Sequence, residues 1–152
     1  LNWGVAVAAG ATVFVAWISL NAGWMEIGIS AGFNPRDDVG IDWMMVVVRL
    51  MGAVLVVPLM EELFWRSFLL RWIANHDFLT VEPARVGSKA FVFSTVLFGF
   101  EHNLWLAGLL AGAVYSLLYM QSGTLWSPIL AHAVTNALLG VWVIYTGNWS
   151  YW

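Results

Sequence analysis

Residues 43 to 73 read WMMVVVRLMGAVLVVPLMEELFWRSFLLRWI. A helix of that length, at roughly 1.5 Å per residue, exceeds the ~30 Å of a bilayer's hydrocarbon core. The stretch is apolar except for Arg49, Glu61, Glu62, Arg66, Ser67 and Arg71, and Pro58 interrupts it. Ionisable groups at membrane depth are expensive unless they face a protein cavity, so the stretch predicts a long, kinked span with a polar inner side. The rest of the chain extends the pattern. Its 152 residues are 61% hydrophobic and only 10% charged, against roughly 25% charged in a soluble domain. No charged residue occurs between Leu1 and Met25 or between His102 and Trp152. Tracts of that kind predict an integral membrane protein.

Outward from this span, Trp3 to Leu20 is a second uncharged tract of spanning length. The opening Leu1, Asn2, Trp3, Gly4 lacks the basic start of a signal peptide, so it reads as a span of a longer protein, with further spans expected upstream. Ser30 to Asp42, with Gly32, Asn34, Pro35, Arg36, Asp37 and Asp38, predicts a polar loop. Arg71 to Lys89 holds three of the six Lys and Arg, which by the positive-inside rule places residues 71–89 on the cytoplasmic side. Apolar stretches follow at Ala90 to about Phe100, Leu104 to Met120, and Leu125 to Tyr145. The expected fold is all-α, a polytopic transmembrane helical bundle with an intramembrane polar cavity, in one membrane-embedded domain over 1–152. Residues 1–42 form its first span and loop, and 43–145 its core. Gly108 and Gly112 are spaced for a close helix approach, or else reflect glycine-rich membrane composition. Trp142, Trp149, Tyr151 and Trp152 suit an interfacial aromatic belt better than a cofactor site.

Composition also excludes. Six Lys and Arg against nine Asp and Glu leave a net charge of -3 and no basic stripe, which argues against nucleic acid as a partner. The absence of cysteine removes disulfides, thiolate metal sites and Cys nucleophiles.

Three polar clusters fall on apolar segments: Glu61, Glu62 and Arg66; Phe98 and His102; His132 and Asn136. Glu62 and Arg66, four apart, share a helix face and can neutralise each other, whereas Glu61 points about 100° away and is left unpaired. A buried ion network that merely holds helices together would use the same residues. Phe98 lies one turn from His102, where its ring can pack beneath the imidazole, and His132 one turn from Asn136. Counted from the cytoplasmic ends at roughly 1.5 Å per residue, Glu61 lies about 15 Å deep, His102 about 20 Å, Asn136 about 17 Å and His132 about 11 Å. All four can meet at one level. The turn at Asn103 then falls inside the bilayer, which is tolerated only where protein or a wet cavity satisfies its backbone. Pro58 and Pro128 are each expected to bend their spans beside these groups.

Taken in order, the clusters resemble the signature of the CAAX-protease and bacteriocin-processing family, also called CPBP or Abi, of polytopic membrane endopeptidases. Its EExxxR, FxxxH and HxxxN motifs correspond to Glu61 to Arg66, Phe98 to His102 and His132 to Asn136, and Ser122 to His132 is also typical of it. The resemblance runs from about Trp43 to Tyr145, making 43–145 the catalytic core. The aromatic-rich, short form is also similar to the CAAX-like proteases associated with exosortase systems. The family implies a peptidase in a bacterial or archaeal cell membrane, in contact with lipid, acting on a peptide or lipidated-peptide substrate that the sequence does not specify.

By that resemblance Glu61 with His102 activates water and Glu61 passes the proton to the leaving amine. His132 and Asn136 donate to the oxyanion, and Glu62 and Arg66 support Glu61. A carboxylate in poorly hydrated surroundings is a stronger base than in water, which suits this task. No cofactor is favoured. The alternative is catalytic zinc held by Glu61, His102 and His132, a two-His, one-carboxylate set, although no HExxH is present. No GxGD motif occurs, and Ser94 and Ser127 lack a nucleophile context. Outside catalysis, the same buried groups would serve a proton path in a transporter, or survive in a non-catalytic scaffold.

Overall fold

The computed structural model describes residues 2–28, 30 and 32–152. Leu1, Ile29 and Ala31, which belong to the opening and first loop of the sequence reading, lie outside them. The described residues form helices and turns and no strand. The main helices are α1 (Trp3–Ser19), α2 (Trp43–Ala74), α3 (Ser88–Phe100), α4 (Trp105–Ser122) and α5 (Trp126–Thr146). Of these, α2 with 32 residues and α5 with 21 are long and apolar enough to cross a membrane.

Local chemistry sets the ends. Asn2 Oδ1 accepts from Val5 N–H at 3.2 Å and Asp42 Oδ1 from Met45 N–H at 3.1 Å, each satisfying a free amide of a first turn. Gly123 and Gly147 end α4 and α5 with φ of +67° and +69°, the left-handed geometry that glycine adopts without strain.

Inside α2 the wider π-helical turn takes over at Gly52–Val56 and again at Leu63–Leu70. In the first stretch Val57 N–H donates five residues back to Gly52 O. The next donor in that register belongs to Pro58, which has no N–H, so Ala53 O loses its backbone partner. Asn136 Nδ2 on α5 donates to that oxygen instead, at 2.7 Å. The irregularity of α2 is therefore stitched to the helix beside it. Pro128 acts differently from the sequence expectation. It is the third residue of α5, where a backbone N–H has no intrahelical partner to lose, so it starts the helix rather than bending it.

The helices pack with α1 against α5 and α4, α3 against α4, and α2 against α5 through its first π stretch and against α3 through its second. Glycines permit the closest crossings. A Cβ on Gly108 would lie 3.0 Å from Gly99 O, and one on Gly112 would lie 3.1 Å from Phe98 Cδ1. The Gly108/Gly112 pair thus serves contact between α3 and α4 within the chain. The C-terminal aromatic residues do more than sit at an interface. Trp149 is buried with Leu139 and Val143, and Phe14, Trp17 and Ile18 of α1 pack around them together with Tyr151 and Trp152. At the turn between α3 and α4, Ile27 N–H donates to Asn103 O at 2.8 Å and Asn103 Nδ2 returns a bond to Ile27 O at 2.9 Å. The preceding linker thereby satisfies the polar groups of that turn.

Candidate active site

A cavity of about 570 Å³ lies among α1, α2, α4, α5 and the turn that follows α3, and Glu61, His102, His132 and Asn136 all line it. Each arrives by a different route. Glu61 stands on α2 two residues before the second π stretch, and no described side chain donates to its carboxylate; its Oε2 is buried without a partner. Glu62, next in sequence, is fully buried and does not line the cavity. There its Oε1 accepts from Arg66 Nη1 at 3.2 Å and from His132 Nδ1 at 2.9 Å. Arg66, also buried, donates through Nη2 to Gly112 O at 3.3 Å and lays its guanidinium over the rings of Phe98 (4.3 Å) and Tyr115 (5.4 Å). A buried cation is thus neutralised and covered on its faces.

The two imidazoles are held by opposite neighbourhoods. His102 Nδ1 donates to Phe98 O at 2.8 Å, and since a carbonyl only accepts, the neutral ring keeps its lone pair on Nε2. Phe98 (4.7 Å between centroids) and Trp17 (5.2 Å, edge-on) clasp this ring. His132 gives its Nδ1–H to a carboxylate, leaving Nε2 as the nitrogen free of that bond. Tyr115 stacks on His132 at 5.0 Å with planes 20° apart. The Tyr115 hydroxyl donates to Thr135 Oγ1 at 2.7 Å, and Thr135 Oγ1 lies 2.9 Å from Gly10 O on α1 and 3.0 Å from Ala131 O. Asn136 spends one amide hydrogen on Ala53 O, which fixes its plane and leaves the other free.

Sequence reasoning missed Trp17, Tyr115 and Thr135. For Tyr115 a signal existed. Gly108, Gly112, Tyr115 and Tyr119 recur at three- and four-residue spacing, so the glycine stripe marks a buried face of α4 that the tyrosines share. Trp17 left no local sign, since an aromatic residue in an apolar tract is ordinary.

Of the zinc set, Glu61, His102 and His132 share the cavity, yet among the described residues no three His, Asp or Glu converge as a group that could hold a metal ion. His132 Nδ1 serves Glu62, and its Nε2 is left free of that bond.

Two helices of membrane length place Glu61 and His132 on one shared cavity, the arrangement of a helical membrane protein. Residues 43–138, more than half of the chain, match the family model for type II CAAX prenyl endopeptidase Rce1-like proteins, and the chain belongs to this family of peptidases. No curated protein and no solved structure matches it. The matched span contains Glu61, His102, His132 and Asn136, whereas Gly10 and Trp17 of α1 precede it.

Proposed function

We propose that this chain is an intramembrane endopeptidase that hydrolyses a peptide bond with water activated by Glu61, in a polytopic bundle oriented with residues 71–89 at the cytoplasmic face. The observation that carries the reading is the placement of a carboxylate free of any described donor on the same cavity as two imidazoles and an amide. Glu61 accepts a proton from water while His102 Nε2 helps to hold that water, and the oxygen attacks the carbonyl carbon. The carbonyl becomes an oxyanion, toward which Asn136 donates its remaining amide hydrogen and His132 a ring N–H. Glu61 then returns the proton to the amide nitrogen as the C–N bond breaks.

Glu62 and Arg66 hold His132 in register, and Tyr115 with Thr135 fixes its plane from the other side. The substrate is a peptide or lipidated peptide reached from the lipid phase. Comparison of membrane peptides from cells carrying the wild-type or the Glu61→Gln protein tests this. Cleaved products should appear only with the wild type. Identical peptide sets, with both proteins inserted at equal levels, would refute it.

A further inference from the structure

The cavity also holds a cation with no counter-ion among the described residues. Arg49 lines the cavity twelve residues before Glu61 on α2, and it is the one Lys or Arg that does so among the described residues. No described carboxylate or carbonyl accepts from it. Its guanidinium instead lies 5.0 Å from the Phe33 ring centroid and 5.9 Å from that of Trp152, which also lines the cavity. Aromatic rings engage a guanidinium through its face, and the five N–H donors lie in its plane, so this clasp orients the group without using its hydrogen bonds. A cavity lined by a base and an unspent cation is polarised for a substrate that carries an anion.

We propose that Arg49 is the anion-binding group of the cavity and holds a carboxylate of the peptide substrate. Twelve helical residues separate its Cα from that of Glu61 by about 18 Å, the length of about five extended peptide residues. The carboxylate therefore belongs close to the scissile bond, at a chain terminus or on a nearby acidic side chain. This rests on the peptidase reading for its substrate, but not for its test.

Binding is measured on the Glu61→Gln protein in zwitterionic lipid vesicles, by energy transfer from tryptophan to a dansylated Ala/Leu hexapeptide. Three probes are compared: free C-terminal carboxylate, C-terminal amide, and amide with Asp at the last position. The acid should bind about tenfold or more tighter than the amide, the scale of a charge-assisted bond. Arg49→Gln should bring that ratio to about one, while Arg49→Lys keeps part of it. Restoration by Asp assigns the site to any carboxylate; no restoration assigns it to the chain terminus. Should Arg49→Gln not fold, added salt must weaken the acid and spare the amide. Equal binding of acid and amide, a preference that survives Arg49→Gln, or no binding of the acid would each overturn the proposal. Cleavage of the acid probe by protein with Glu61 intact is scored separately, so a preference without cleavage refutes only the peptidase reading.

Discussion

Glu61 and Glu62 are neighbours in sequence with different surroundings, and exchanging each for its amide tests the roles proposed for them. Glu62 is fully buried and its Oε1 serves two partners, the Arg66 guanidinium at 3.2 Å and the His132 imidazole at 2.9 Å. Removing one member of a buried ion pair costs about 3–5 kcal/mol, because the other charge stays behind in a medium that cannot solvate it. The glutamine oxygen of Glu62→Gln still accepts one bond, so the lower end, about 3 kcal/mol, applies. At about 2–4 °C per kcal/mol for a chain of this size, the melting temperature should fall by about 10 °C. Glu61→Gln removes no described hydrogen bond and should shift it by less than about 2 °C. Both are read from tryptophan fluorescence during heating in one detergent, with eleven tryptophans as reporters. Cleavage should be lost in Glu61→Gln despite its stability. An equal loss of stability in the two variants, or an unchanged Glu62→Gln, would refute this division.

Other perturbations follow from the same contacts. Asn136→Ala removes both the proposed oxyanion donor and the bond to Ala53 O, and cleavage should drop by about 10²–10³, measured as kcat in proteoliposomes. Thr135→Val leaves the buried Tyr115 hydroxyl without its partner and should cost about 1–3 kcal/mol, whereas Tyr115→Phe, which keeps the Thr135 bond to Gly10 O, should cost about 1 kcal/mol. A smaller loss for Thr135→Val in thermal unfolding would contradict the network. Gly108→Val should destabilise by about 1–3 kcal/mol, since its Cβ would meet Gly99 backbone. On the proposed glutamate mechanism, chelator-stripped protein should cleave at the untreated rate; a loss reversed by zinc would overturn the metal-free chemistry.

Much of the helical layout was legible because membrane-length apolar tracts and their caps are local signals. The tracts opening at Trp43, Leu104 and Leu125 start within a residue of the helices that the structure forms there. The divergence of Glu61 from Glu62 and Arg66 was also readable, since it needs only helical geometry. What lay hidden depends on contacts between distant segments. Nothing in His132-Ala133-Val134-Thr135-Asn136 says that Glu62 will take its imidazole, that Tyr115 will stack on it, or that Gly10 of α1 will receive Thr135. The π turns of α2 were equally out of reach: Pro58 announces a lost bond, but only the fold shows Asn136 making it good at Ala53 O. Pro128 misled for the same reason, because its effect depends on where α5 begins.

The account turns on one carboxylate acting on water inside the helix packing. The rate of peptide cleavage by purified Glu61→Gln protein, reconstituted beside wild type and shown to melt at the same temperature, tests it most directly. A fall of about 10²–10⁴ or more, the worth of a positioned general base, is the predicted result. Cleavage at the wild-type rate by the folded variant would contradict it.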